Sequence, residues 1–221
     1  MAALKGVSVA LFALFGGALV GFAAAADPDP LVDFVPVDAL GDAQFKFALG
    51  NSTGIVGPGG QIQPANVINF PALTSQGQSL VRFNLRPCGQ NPPHTHPRAS
   101  EVIFLISGGP LLVGFVDTTG IPHLNALMPG DVTVFPRGLV HFQQNFGTEN
   151  AIYIAGLNSQ NPGVQPMFTA LGAFPAPVLA TALNTSVANL TLTALPKNGA
   201  PPLGSAASGC VPGSLPPGIR V

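Results

Sequence analysis

An all-β barrel or sandwich is the fold class this sequence predicts, and three observations carry it. Between Ala65 and about Asn158, short apolar or alternating runs recur at near-regular spacing. Turn-forming clusters separate them, among them Gly108-Gly109, Thr118-Thr119-Gly120 and Pro129-Gly130. With 221 residues the chain is long enough for one domain with a good-sized core, and two full domains would be cramped.

Taken in order, residues 1–26 read as a secretory signal peptide. Lys5 supplies the positive start, Val7 to Val20 the apolar stretch, and Ala24-Ala25-Ala26 a small-residue cleavage site ahead of Asp27-Pro28-Asp29-Pro30. A membrane anchor is the competing reading of that stretch, but its short flank ending in small residues favours cleavage, and no later segment is long and apolar enough to span a bilayer. The mature chain is therefore expected to be soluble and secreted.

Residues 27–63, rich in Pro, Gly and Asp, predict an extended arm and loops; a barrel is expected over 64–160. Its candidate strands are Asn66–Phe70, Ser79–Leu85, Glu101–Ile106, Pro110–Asp117, His123–Leu127, Asp131–Phe135, Val140–Asn145 and Ala151–Leu157. A helical segment is expected over 161–195. Pro177 to Leu183 is Ala/Leu-rich, and Thr185 or Ser186 caps a second helix running to Leu195. Residues 196–221, with several Pro and Gly and little apolar periodicity, predict a mobile tail.

Composition excludes some function classes. Only 8% of residues are charged, the net charge is −1, and no basic run or stripe occurs, so nothing supports nucleic-acid binding. In Glu101–Ile106, Ile103 and Leu105 share one face while Val102, Phe104 and Ile106 share the other; Leu111–Val116 is also apolar on both faces. Such strands need cover outside the barrel, from another subunit or from a second sheet of the same chain.

One cluster carries chemistry. His94 and His96 fall on the same face of a strand, Glu101 follows, and His141 lies on a later apolar run. Glu101 has the opposite parity, so it joins the pair only if Pro97-Arg98-Ala99-Ser100 breaks the alternation. Three imidazoles and one carboxylate suit a divalent manganese, iron or zinc ion. If His141 points inward, Gln143 and Asn145 share its strand face and are expected to line the same cavity, with Asn91 at its mouth; a strand-end cap is the alternative for Asn145. His123 has no ligand spacing and reads as a surface or packing histidine. Two cysteines, Cys88 and Cys210, are able to pair in an oxidising compartment, although free or intermolecular thiols fit the sequence equally. Asn51, Asn184 and Asn189 open Asn-x-Ser/Thr glycosylation sequons.

These residues stand in two longer motifs. The first runs Asn91-Pro-Pro-His-Thr-His-Pro-Arg-Ala-Ser-Glu101 and on to Gly108; the second runs from Gly130-Asp-Val-Thr-Val-Phe-Pro136 through Arg-Gly138-Leu-Val-His141 to Asn145. With the start Asp27-Pro-Asp-Pro-Leu-Val-Asp-Phe34 and the segment Asn158-Ser-Gln-Asn-Pro-Gly163, they resemble the germin-like proteins of the cupin superfamily over most of Asp27 to Leu195. The resemblance implies a cupin jelly-roll β-barrel with a small C-terminal α-helical piece. It also implies manganese held by His94, His96, Glu101 and His141, and a homo-oligomer, commonly a hexamer, in the apoplast or cell wall. Superoxide dismutation is one activity it implies, with superoxide or a small anion at the metal. Oxalate oxidation is another, and a non-catalytic wall, storage or receptor-type role a third. The chain also departs from the family. Val35 stands where the first cysteine of an N-terminal pair is expected, and Val81 where an asparagine associated with oxalate binding would be. Cys88 replaces the glycine opening the first motif, so a differently built turn is expected there, with a Cys88–Cys210 bond as a substitute clasp.

Overall fold

The structure is a computed structural model that describes residues 33–34, 45–187 and 200–221. The signal peptide, much of the arm, the helix expected to reach Leu195 and the Asn189 sequon lie outside the described residues.

Two antiparallel sheets face each other. One has six strands, in the order β1 (Ile55–Gly57), β2 (Gly60–Ala65), β3 (Ser79–Leu85), β10 (Ala151–Leu157), β5 (Glu101–Ser107) and β8 (Val132–Phe135). The other has five, in the order β11 (Gln165–Pro166), β4 (Gln90–Thr95), β9 (His141–Asn145), β6 (Leu111–Val116) and β7 (Pro122–Leu127). Helices α1 (Met167–Gly172) and α2 (Ala176–Ala182) follow, and none among the described residues is long and apolar enough to cross a membrane.

The core is what the alternating patterns dictate. Strand β10 buries Ala151, Tyr153, Ala155 and Leu157 and leaves the residues between them half-buried; β5 buries Ile103 and Leu105. Phe83 and Tyr153 stack with ring centroids 4.4 Å apart, and Leu85, Leu111, Val113 and Leu127 close the space between the sheets.

Three expectations are corrected. The sheet begins inside the expected arm: Gly57-Pro-Gly-Gly60 makes a hairpin, and β1 and β2 extend the six-stranded sheet. Asn66–Phe70 is a turn, not a strand. Asn66 Oδ1 accepts from Ile68 N and Asn69 Oδ1 from Asn66 N, so the amide side chains take the backbone groups a ladder would use. The tail is docked: Pro201 is buried, Gly59 N donates to Pro201 O, Gly204 N donates to Cys88 O, and Cys210 is disulfide-bonded to Cys88. Its Leu215 and Ile219 pack on Leu112, Phe142 and Phe146, covering the outer face of the five-stranded sheet. Low periodicity hid this because the tail binds at separate points without forming a long element.

Candidate metal centre

Each ligand is set by a local device. In the β4–β9 pair, Asn91 lies opposite Gln143 but His94 opposite His141, a register shift of one residue at Pro92-Pro93, which lack N–H groups. That bulge turns both Asn91 and His94 inward despite their odd spacing. His96 lies just past the end of β4. The turn at Pro97-Arg98, with Arg98 N donating to Pro162 O, then brings Glu101 in as the first residue of β5. His141 opens β9, and its ring stacks on Phe135 of β8 at 4.5 Å. Gly130 and Gly138, both at positive φ, form the turns that flank β8.

All four side chains are buried, and one ligand atom from each lies within 4.8 Å of every other. The hydrogen bonds fix the tautomers. His94 Nδ1 meets Pro92 O at 2.8 Å, His141 Nδ1 meets Leu139 O at 2.8 Å, and His96 Nδ1 meets Gly163 O. A carbonyl only accepts, so Nδ1 carries the proton in each neutral ring and Nε2 keeps its lone pair. The Nε2 atoms of His96 and His141 face Glu101 Oε2 at 3.1 and 3.0 Å. Lone pairs and a carboxylate at that distance repel unless a cation sits among them. Bonds of about 2.0–2.2 Å to one ion put neighbouring ligand atoms roughly 3 Å apart, which is the spacing of these two contacts. The donor set fits a divalent metal.

Electrostatics agree. Burial, aided by His141, lowers the His94 pKa to about 3, so its imidazole is a neutral donor at any ordinary pH. Burial opposes ionisation of Glu101, and its carboxyl is held well below its usual range only by positive charge placed between it and His141 and His96, a proton on their Nε2 atoms in metal-free protein or a bound cation. Nearby, Asn91 Nδ2 donates to Gln143 Oε1 at 2.7 Å and Tyr153 hydroxyl to the same oxygen at 3.4 Å. Gln143 Nε2, fully buried, has no acceptor among the described residues.

The cupin family profile matches residues 48–190. The chain is 40% identical over 190 residues to germin-like protein 1-1 of Oryza sativa subsp. japonica, an alignment covering 77% of this chain and 88% of that one. It is 41% identical over 182 residues to germin-like protein subfamily 1 member 17 of Arabidopsis thaliana, covering 72% and 81%. This chain is a germin-like protein of the cupin family. The same fold occurs in a recombinant oxalate oxidase in complex with glycolate, with a TM-score of 0.67 and 32% identity, covering 73% of this germin-like chain and 93% of that chain.

The other candidates separate by geometry. Gln143 shares the inner face with His141, but the Asn145 side chain is spent elsewhere. Its amide donates to Leu85 O and Glu149 O and its carbonyl accepts from Gly147 N, so it holds the end of β9 and does not reach toward the ligands. His123 is exposed and pairs with Asp117. Cys88 and Cys210 are bonded, with Cα atoms 5.8 Å apart. The turn at Cys88 is not rebuilt: the cysteine itself takes φ 63°, the left-handed backbone a glycine would supply. Asn51 and Asn184 are both exposed. Sequence reading missed the three carbonyls that orient the imidazoles and the Phe135 wall. For His94 and His141 the signal was local, since each uses the carbonyl two residues before it; Gly163 is set against His96 only by the fold.

Proposed function

We infer that this is a secreted manganese-binding germin-like protein that dismutes superoxide. The observation that carries the metal reading is the convergence of three proton-free Nε2 atoms and one carboxylate on a single buried point. Bound there, manganese would supply one-electron chemistry at its open positions; iron and zinc are the alternatives on the donor set. Three neutral ligands and one anion leave a residual charge near +1, which draws small anions. Gln143, held by Asn91 and Tyr153, has an N–H left to offer a bound oxygen ligand or water. Secretion is supported by the leader sequence, the germin-like relatives and the disulfide, and glycans on Asn51, Asn184 and Asn189 accord with it. An anion-drawing centre in a homo-oligomer of the apoplast or cell wall is the resulting picture.

Oxalate oxidation is disfavoured. Val81 lines the cavity, and leaving a carboxylate oxygen unpaired against it costs on the order of 1–3 kcal/mol. A non-catalytic metal-holding, storage or receptor-type role is the second reading. What favours it is that, among the described residues, the cavity lining holds no titratable side chain besides the metal ligands. Elemental analysis of native protein, with superoxide and oxalate assays on loaded and chelator-stripped samples, separates the readings. We expect one manganese per chain and metal-dependent superoxide turnover, both lost in His141→Ala. Full metal content without turnover would leave the storage reading in possession.

A further inference from the structure

The cavity over the imidazoles is larger and drier than superoxide needs. Its volume is about 440 Å³, within the roughly 300–1,000 Å³ range of sites for drug-sized ligands. Apart from the metal ligands, its wall is built of Ile62, Pro64, Val81, Phe83, Leu157 and Pro166, with Ile55 and Val164 exposed at the rim. Among the described residues no Lys or Arg reaches the lining, and its polar side chains besides the metal ligands are Asn66, Asn91 and Thr169. Asn66 Oδ1 accepts from Ile68 N and Asn91 Nδ2 gives one N–H to Gln143, so what these amides keep for an anion is uncharged N–H alone. One anionic head is therefore matched by the metal, while a second carboxylate would lose its water against hydrocarbon without a cation to meet. An apolar body in its place gains from the same burial.

Resting on the metal reading above, we propose that this site binds a monocarboxylic acid with an oxygen on the α-carbon and an apolar body. The carboxylate and α-oxygen chelate the ion, and the aliphatic or aromatic body lies against Val81, Phe83 and Leu157. Such an acid occupies the positions superoxide would use.

Calorimetric titration of manganese-loaded full-length protein tests this with glycolate, oxalate and mandelate, which is glycolate bearing a phenyl ring. The chelating head is constant between the first and last, so only the body changes. Mandelate is expected to bind at least about tenfold more tightly than glycolate, and more tightly than oxalate, with binding lost after chelator stripping. Val81→Asn inside the wall, and Ile55→Ser at the exposed rim as a variant that leaves folding intact, are each expected to erode the mandelate preference while glycolate affinity holds. Oxalate or glycolate binding as tightly as mandelate to loaded protein, or a preference untouched by both variants, overturns the proposal and leaves the metal centre standing. A preparation that takes up no metal overturns the reading beneath it.

Discussion

At the residue scale, His94 shows how burial prepares a ligand. Desolvation and the neighbouring His141 lower its pKa from 6.5 to about 3, so the ring stays neutral with its Nε2 free. Before metal arrives this has a cost in acid. An unfolded chain takes up a proton on His94 below pH 6.5 that the folded chain refuses until about pH 3. Acid therefore favours unfolding by up to about 1.4 kcal/mol per pH unit across that window. Glu101 acts in the same direction, since its depressed carboxyl stabilises the fold fully above the usual carboxylate value and less as the pH falls. Chelator-stripped protein should lose stability steadily between pH 6.5 and 4 in urea titrations, and His94→Leu should flatten that slope. Equal slopes in the two proteins would show that His94 is not held neutral by its surroundings.

At the element scale, β3, β5 and β10 were legible because alternation with period two survives wherever one face is buried; the first and last were read to the residue. The four ligands were legible as well, since His94, His96 and the broken parity before Glu101 are short-range features. The β4 bulge was harder, because Pro92-Pro93 announces a missing donor without saying how the register adjusts. The docked tail was legible only at Cys210, through its expected bond to Cys88. Its contacts are single residues, Pro201, Leu203, Cys210, Leu215 and Ile219, reaching partners that only the fold brings near. Cys88–Cys210 closes a sequence separation of 122 residues, and restricting a loop of that size in the unfolded chain contributes about 2–4 kcal/mol. Cys210→Ser should lower the unfolding free energy by about that amount and raise proteolysis within 200–221, while metal content stays unchanged because the ligands lie on β4, β5 and β9 and in the turn after β4. Loss of metal with the tail would mean that the clasp also shapes the centre.

At the scale of the whole molecule, the two outer faces are treated differently. The five-stranded sheet is covered at Leu112, Phe142 and Phe146 by the chain's own tail. The six-stranded sheet leaves Val102, Phe104, Ile106, Val132 and Val134 each 45–60% exposed, and the register sets Phe104 beside Val132 and Val102 beside Val134, so they form one continuous patch. Contiguous apolar area of this kind is the mark of an association surface. A second copy would supply the same apolar face, and an isologous contact would cover both at once. The interior side of these strands carries Ile103, Leu105 and Glu101, so charge placed outside does not touch the centre. Phe104→Lys combined with Val134→Lys should therefore reduce the molar mass in solution, read by light scattering at micromolar concentration, with manganese content per chain unchanged. Unaltered mass in the double variant would move the assembly contact to another surface. A monomeric parent protein would mean that the exposed valines face water alone.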